Sequence, residues 1–391
     1  MAQGNDVVSS QQLTEETTNT ERQRLATGTL TYPPPELPSL PVDLLPEILC
    51  KLPVKLLVQL RCLCKFFNSL ISDPKFAKKH LQFSTKRHHL MLTKKNDELV
   101  MYDPPIHSVF STSTVFTHKQ LYLPSTLPNN EFYNKRVLCC CDGMFCGHLK
   151  NGSYFLWNPS ITKSKFKLLP PLESDKCWIF ISFGYDHFID NYKVIAVSTK
   201  NEVSVYTLGT DYWTRIEDFP YYNKHSSGIF VCGTVNWISS ISGFSWDVII
   251  SLNLKEESYQ KLCPPDFGGE NNSWDFGVLR DCLCVFASSD EYWDVWIMKE
   301  YGNQESWSKL YTIPNLQDWG LDARYWDALY ISENDQLLVR CYQLDNNHGI
   351  AHDIKLVVYD SKTGTLNIPE FQNNYEYKIN AIVYIESLIS P

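Results

Sequence analysis

The chain has 391 residues, of which 43% are hydrophobic and 14% aromatic, and its 35 basic and 44 acidic side chains give a net charge of −9. This length corresponds to two or three domains, and the apolar content excludes wholesale disorder and a coiled coil. No window reaches the ~20 uninterrupted apolar residues of a membrane span, and the opening MAQGNDVVSS lacks a signal-peptide pattern. We therefore expect a cytoplasmic or nuclear protein without a membrane partner.

The charge is distributed unevenly along the chain. Residues 1–38 carry five acidic and two basic side chains, whereas residues 39–83 carry seven basic and three acidic ones, a net charge of +4. Residues 84–391 then hold a net charge of −10, which disfavours nucleic acid as a partner. The 13 cysteines are odd in number and irregularly spaced, which indicates reduced thiols rather than a secreted disulfide framework.

The N-terminal segment, residues 1–38, is rich in Thr, Gln and Glu and ends in three consecutive prolines. A segment with so few apolar residues cannot offset the entropy of ordering the chain. We expect a disordered tail that ends in a stiff polyproline spacer.

Residues 39–83 show helical spacing of their apolar residues. Asp43 is placed to cap a first helix that ends at Pro53, a second helix is expected over 54–70, and Asp73-Pro74 has the cap and first position of a third. Three short helices form only a small core, and the excess apolar surface requires cover from another domain or chain.

The segments LPVDLLPEIL, KLPVK and CKFFNSLISDPKF resemble the plant F-box over nearly its whole motif. This resemblance implies binding to an acidic Skp-type adaptor and, through it, to a cullin and a RING protein. The alternative is that the apolar residues form only the internal core of a helical domain. The positions that match adaptor-contacting residues of the family are Leu40, Pro41, Leu44, Leu45, Ile48, Leu49, Leu52, Pro53, Val54 and Leu57.

Beyond Leu81, short β-branched and aromatic runs alternate with turn residues, and a unit recurs. Its equivalent positions are Tyr102, Trp157, Tyr206, Leu252, Trp296 and Tyr359. Each unit contains about four strand signals, as in a propeller blade, and residues 84–391 have room for six blades of about 50 residues. The last strand, within NAIVYIESL, is placed to join the first strands and close the ring. A β-sandwich pair is the alternative architecture.

A second resemblance supports the propeller. The segments DGMFCGHL, LWNPSITKSKFKLLPPL, FGYDHFIDNYKVI, GIFVCGTVNWI and WIMKEYGNQESWSKLYTI are similar to the plant F-box associated interaction domain, which is related to kelch repeats. The same family includes S-locus F-box proteins, which recognise pollen-rejection ribonucleases, although no motif here assigns the chain to that subgroup. The expected fold is thus α+β and multidomain, with a three-helix F-box (39–83) before an all-β kelch-like propeller of about six blades (84–391).

The sequence offers no convincing catalytic or metal motif, and we expect neither catalysis nor a cofactor. No G-x-S-x-G, phosphate loop or G-x-G-x-x-G is present. His348 and His352 flank a glycine in a polar loop. Cys139, Cys140, Cys141 and Cys146 lie close in sequence, but strand alternation points Cys140 away from its neighbours, so buried thiols are expected instead of a zinc site.

Recognition by a propeller face remains, and aromatic residues beside acidic ones suit protein binding. The target-binding candidates are Tyr221, Tyr222, Phe244, Trp246, Trp319, Tyr325 and Trp326, with core between blades as the alternative for each ring. The leading hypothesis is a non-catalytic substrate receptor of a Skp–cullin–F-box ubiquitin ligase with an unknown target protein. The alternatives are a propeller-based enzyme or carbohydrate- or protein-binding module, and an F-box scaffold that acts without the ligase.

Overall fold

Four short helices begin the part of the chain that the structure, a computed structural model, describes. That part comprises residues 44–84, 87–95, 99–111, 120–121, 139–149, 153–161, 166–172, 179–223, 227–240, 248–267, 273–289, 292–314, 323–344, 351–369 and 379–391. The predicted tail, together with Leu40, Pro41 and Asp43, lies outside these ranges. Within them, no helix combines the length and apolarity needed to cross a membrane.

The helical module, as we call residues 44–84, consists of α1 (Leu45–Leu49), α2 (Val54–Leu60), α3 (Lys65–Ile71) and α4 (Pro74–Phe83). The predicted third helix is confirmed as α4: Asp73 caps it by accepting a 2.8 Å hydrogen bond from the Lys75 amide, and Pro74 is its first residue. The prediction of one helix over 54–70, and hence of three helices, is wrong. Cys64 is extended, with φ −158° and ψ 166°, which separates α2 from α3. The break lets both segments bury residues in one core, and this packing overrides local helix propensity.

The remainder is almost entirely β, apart from α5 (Ile106–Val109) and a 3-10 turn at Gln304–Ser306. Its strands form six antiparallel sheets. Sheet 1 contains β1 (His88–Lys95), β2 (Leu99–Tyr102), β3 (Gln120–Leu121) and the last strand, β25 (Ile379–Ile385). Sheet 2 contains β4 (Cys139–Cys141), β5 (Met144–His148), β6 (Tyr154–Trp157) and β7 (Lys167–Leu168). Sheet 3 contains β8 (Ile179–Asp186), β9 (Asn191–Ser198), β10 (Val203–Thr207) and β11 (Trp213–Arg215).

The other three sheets follow in chain order. Sheet 4 contains β12 (Tyr222–Asn223), β13 (Ile229–Val231), β14 (Thr234–Ser240), β15 (Val248–Asn253) and β16 (Ser258–Leu262). Sheet 5 contains β17 (Ser273–Leu279), β18 (Cys282–Ser288), β19 (Tyr292–Met298) and β20 (Trp307–Pro314). Sheet 6 contains β21 (Ala323–Ile331), β22 (Gln336–Leu344), β23 (Ala351–Asp360) and β24 (Thr365–Asn367).

The sheets contact one another in a ring through their inner strands. In order, β4 lies beside β8, β8 beside β13, β13 beside β17, β17 beside β21, β21 beside β25, and β25 beside β4. The last strand pairs with β1, and His89 stands opposite Tyr384 in this register. The predicted closure by the terminal strand is confirmed. A helical module followed by an all-β propeller is therefore the architecture, and the β-sandwich alternative is excluded.

The sequence repeat maps onto the sheets. Its positions occupy the same place in each unit, on β2, β6, β10, β15, β19 and β23, which are the third strands of the six sheets. Trp157, Tyr206 and Leu252 are almost completely buried there. An aromatic or large aliphatic residue thus recurs because it packs against the neighbouring sheet.

The propeller has two faces, which we define by their turns. The near face carries the turns between the first and second strands of sheets 2 to 6, including Asp142-Gly143, Cys232-Gly233 and Arg280-Asp281, all with positive φ. Two-residue turns of this kind match the twist of antiparallel strands. The far face is the opposite one, where the second strands end, the third strands begin and the fourth strands end.

Candidate adaptor and target surfaces

The helical module is anchored to the near face by one apolar cluster. Val54, Leu57 and Phe76 of the module share it with residues of sheets 2 and 3 such as Met144 and Tyr192. Because Val54 and Leu57 are completely buried, this side of the module is inaccessible to another protein. Burial of these side chains stabilises the contact between the module and the propeller.

The residues expected to contact an adaptor fall into two sets. Leu49, Val54 and Leu57 belong to the buried cluster, and Leu45 and Leu52 pack against it partly buried. The three buried residues cannot contact an adaptor directly in this structure. They instead form internal core, which is the alternative that the sequence left open. Leu44 and Ile48 are 46% and 43% exposed, and Pro53 is exposed as well, so these three are available to a partner.

Three further exposed apolar side chains of the module lie close to Leu44 and Ile48 in sequence. Leu56 is 40% exposed, Leu63 69% and Phe66 50%. Together with Leu44 and Ile48 they form what we call the exposed apolar set. Solvent-exposed side chains of this size, grouped on about twenty-five residues of chain, are typical of surfaces that another protein covers.

Basic side chains accompany the exposed apolar set. Lys51, Lys55, Lys65 and Lys75 are all exposed on the module. Lys79 lies 3.8 Å from Glu47, which is a weak surface pair. The positive charge predicted for this segment is therefore on its surface, where it favours encounter with an acidic partner.

A buried hydrogen-bond network fixes the end of α1. The Leu52 carbonyl accepts hydrogen bonds from His80 Nε2 at 2.9 Å and Arg87 Nη1 at 2.6 Å, and Arg87 Nη2 also donates to the Lys51 carbonyl. Ser84 Oγ lies 3.2 Å from His80 Nδ1. Burial lowers the pKa of the His80 imidazole, and the nearby positive charge of Arg87 lowers it further. The hydrogen bond to the Leu52 carbonyl raises this pKa, but the net shift is downward. A neutral His80 therefore suits this site.

The last residues of the chain pass between the module and the propeller. Leu388 and Ile389 belong to the same apolar cluster as the helices. The buried Asn158 amide holds them: its Nδ2 donates to the carbonyls of Ile389 at 2.7 Å and Ser387 at 3.1 Å. Gly143 completes the fit, because a Cβ there would lie 2.3 Å from the Ile385 carbonyl oxygen. Asn158, which lies between Trp157 and Pro159, thus has a structural role.

The strands that flank the predicted target-binding segments end at the far face. Residues 217–225 follow β11, 242–247 join β14 to β15, and 317–327 follow β20, and each of these strand ends points away from the near face. Phe244, Trp246 and Trp319 lie outside the described residues, as do the side chains of Tyr222 and Tyr325. Their participation stays a prediction.

Two of the target-binding candidates are described in full. Trp326 is only 3% exposed, stacks on Trp293 with ring centroids 4.7 Å apart, and donates from Nε1 to Ser288 Oγ at 2.7 Å. The prediction that Trp326 contacts a target is wrong, because its side chain lies in the core between sheets 5 and 6. Tyr221 is partly buried against the cluster around Trp237, which leaves only part of its ring accessible.

Comparison with known proteins identifies both parts. The F-box domain profile matches residues 37–79, and the F-box associated beta propeller domain profile matches residues 90–391. This chain belongs to the F-box proteins with an F-box associated β-propeller domain. An F-box/kelch-repeat protein of Arabidopsis thaliana is 31% identical over 379 residues, which cover 90% of this chain and 96% of the relative.

Two other F-box proteins of Arabidopsis thaliana are also similar. The F-box protein CPR1 is 25% identical over 379 residues, covering 87% of each chain. F-box/WD-40 repeat-containing protein 1 is 25% identical over 380 residues, covering 90% of this chain and 88% of the relative. The similarity therefore extends over both the F-box and the propeller.

Several cysteines of the F-box associated propeller are buried packing residues: Cys141, Cys146, Cys284 and Cys341. Cys141 and Cys146 face the cluster beneath the F-box, whereas Cys140 packs in the cluster around Phe145 and Trp157. The predicted alternation is thus confirmed. Burial raises the pKa of Cys140 and Cys141, and a hydrogen bond with Cys139 together with burial raises that of Cys146. These shifts keep the three thiols protonated and unreactive.

Proposed function

We propose that this F-box protein is the substrate receptor of a Skp–cullin–F-box ubiquitin ligase. It binds a Skp-type adaptor through the exposed apolar set, with Leu40 and Pro41 as further contacts. The adaptor links it to a cullin and a RING protein, and the propeller binds a target protein. The observation that carries the proposal is that Leu44 and Ile48 are exposed on an F-box whose opposite side is buried in the propeller.

The geometry supports a division of labour between the two faces. The F-box occupies the near face, and the strands that precede residues 217–225, 242–247 and 317–327 end at the far face. A target bound there leaves the adaptor surface accessible. The negative charge of the propeller favours a target with a basic surface. We also infer that the six sheets are the six blades of one ring.

The mechanism is proximity rather than bond chemistry. A receptor that holds its target beside the ubiquitin-charged enzyme raises the local concentration of the target lysines, so affinity and orientation determine turnover. A rigid connection between F-box and propeller would preserve this orientation, and the shared apolar cluster is suited to provide it. We place the protein in the cytoplasm or nucleus, where reduced thiols persist.

Assembly is the first test. The full chain is mixed with a Skp-type adaptor and the N-terminal part of a cullin, and the mixture is separated by size-exclusion chromatography. We expect the three proteins to co-elute, and the Ile48→Asp variant to elute apart from the other two. Failure of the wild-type chain to join the adaptor would contradict the proposal.

Target capture is the second test. Proximity labelling with the Ile48→Asp variant, which keeps the propeller but is detached from the ligase, should enrich proteins that accumulate when the cullin is inhibited. Exchange of residues 217–225 should remove this enrichment while adaptor binding persists. Enriched proteins whose abundance is insensitive to cullin inhibition would instead support a ligase-independent scaffold.

A further inference from the structure

Three ionisable side chains from distant parts of the sequence meet where the propeller ring closes. His89 lies on β1, Asp103 follows β2, and Glu386 follows β25. Their candidate ligand atoms all lie within 4.8 Å of one another, and the side chains are 15%, 9% and 19% exposed. The group therefore joins the first strand of the ring to the last in a partly desolvated setting.

Asp103 orients the imidazole of His89. Its Oδ1 lies 2.9 Å from His89 Nδ1 and also accepts a 2.8 Å hydrogen bond from the Tyr384 hydroxyl. A carboxylate oxygen in this position accepts the Nδ1 proton, and Tyr384 holds the carboxylate in place. A carboxylate behind the second nitrogen of a histidine is the usual way in which proteins orient a metal-binding imidazole.

The other ring nitrogen, His89 Nε2, faces Glu386 Oε2 at 3.7 Å. A charge-assisted N–H···O bond is shorter, about 2.7–2.9 Å. Two ligand atoms that each lie about 2.1 Å from one zinc ion are separated by roughly 3.4–3.6 Å for angles between tetrahedral and trigonal. The observed distance of 3.7 Å between His89 Nε2 and Glu386 Oε2 is therefore closer to that between two ligands of one metal ion than to the length of a hydrogen bond.

We propose that His89 Nε2 and the Glu386 carboxylate bind a divalent zinc-type ion, with Asp103 as the outer carboxylate and water at the remaining positions. Imidazole and carboxylate together suit such ions. Binding would link β1 to the segment after β25 and stabilise the closed ring. The sequence alone gave no sign of this site, because almost 300 residues separate His89 from Glu386 and no spacing motif relates them.

The test uses the full chain after removal of metals with EDTA. Zn²⁺ added at 100 times its Kd should shift the unfolding equilibrium about 100-fold toward the folded state and raise the Tm. Co²⁺ should give visible absorption bands of nitrogen and oxygen ligation. His89→Gln and Glu386→Gln should each abolish both effects, and Asp103→Asn should weaken metal affinity by about 10–100-fold.

Glu256→Gln, on an exposed turn of sheet 4, is the matched control and should behave as the wild type. Circular dichroism of the metal-free variants establishes that they are folded, and Glu386→Gln is the milder substitution if His89→Gln unfolds. Absence of a Tm shift in the wild type, an equal shift in folded Glu386→Gln, or thiolate charge-transfer bands with Co²⁺ would each overturn the proposal.

Discussion

Lys78 of the F-box and Asp190 of the propeller form an ion pair across the junction of the two parts. The Lys78 ammonium lies 2.5 Å from Asp190 Oδ2 and donates to the Asp190 carbonyl at 3.0 Å. It also lies 5.5 Å from the centre of the Tyr185 ring, and Tyr185 donates a hydrogen bond to the same carboxylate. The lysine hydrogen bond and the tyrosine hydrogen bond both lower the pKa of Asp190.

This ion pair should contribute little to stability, because Asp190 is largely exposed. We expect a double-mutant cycle of Lys78→Met and Asp190→Asn to give a coupling free energy below about 1 kcal/mol in urea unfolding. Asparagine is chosen because Asp190 has a φ of 55°, which asparagine tolerates. A coupling of several kcal/mol would mean that the pair, and not the apolar cluster, holds the F-box in place.

Leu56 and Leu57 are adjacent on α2 and should have opposite roles. Leu57 is completely buried, so Leu57→Ala should lower the free energy of unfolding by about 2–5 kcal/mol. Leu56 is exposed, so Leu56→Ala should change stability by less than about 0.5 kcal/mol and weaken adaptor binding instead. Urea unfolding and calorimetric titration with a Skp-type adaptor measure the two effects. Equal destabilisation by both substitutions would contradict the division of the F-box into core and partner surface.

Asn158 should be required for the position of the C-terminal segment. Asn158→Asp replaces an amide donor by a buried carboxylate that faces the carbonyls of Ser387 and Ile389, so we expect a loss of about 3 kcal/mol or more. Hydrogen exchange of residues 386–391 should accelerate in this variant. Unchanged exchange at these amides would show that the apolar contacts of Leu388 and Ile389 are sufficient on their own.

Stability should decrease when the pH falls below about 6.5. The pKa of His80, and likewise of His88 and His148, is lowered by burial, so the unfolded chain takes up protons at a higher pH than the folded one. The stabilisation is complete above the ordinary histidine pKa and is lost toward the lowered folded-state value. Urea midpoints at pH 7.5 and 5.5 measure this loss, and His80→Gln, which keeps a donor for the Leu52 carbonyl, should reduce it. An identical pH dependence in this variant would exclude His80 as a source.

Local patterns were sufficient to predict much of the fold. The repeat positions from Tyr102 to Tyr359 all lie on third strands. Where their side chains are described, for example Trp157, Tyr206 and Leu252, they are buried. Ring closure by the last strand followed from the need to remove exposed sheet edges. Asp73-Pro74 predicted a helix start because capping depends only on neighbouring residues.

Other features depend on contacts that the sequence pattern does not reveal. The break at Cys64 divides one periodic segment into two helices, and both place residues in the cluster shared with the propeller. The family resemblance assigned adaptor contact to all of its matching positions alike. In the structure, however, Leu49, Val54 and Leu57 are buried, whereas Leu44 and Ile48 are exposed. Trp326 was indistinguishable in sequence from an exposed loop aromatic until its stacking on Trp293 was known.

The central claim is that the exposed apolar side chains of the F-box bind a Skp-type adaptor. The most direct measurement is the Kd of the adaptor for the wild-type chain, for Leu44→Asp/Ile48→Asp, and for Phe83→Asp, an exposed position at the other end of the module. The two buried charges of Leu44→Asp/Ile48→Asp should weaken adaptor binding by about 100-fold or more, whereas Phe83→Asp should change the Kd by less than about threefold. All three chains should unfold at similar urea concentrations. An unchanged Kd for the folded double variant would contradict the account.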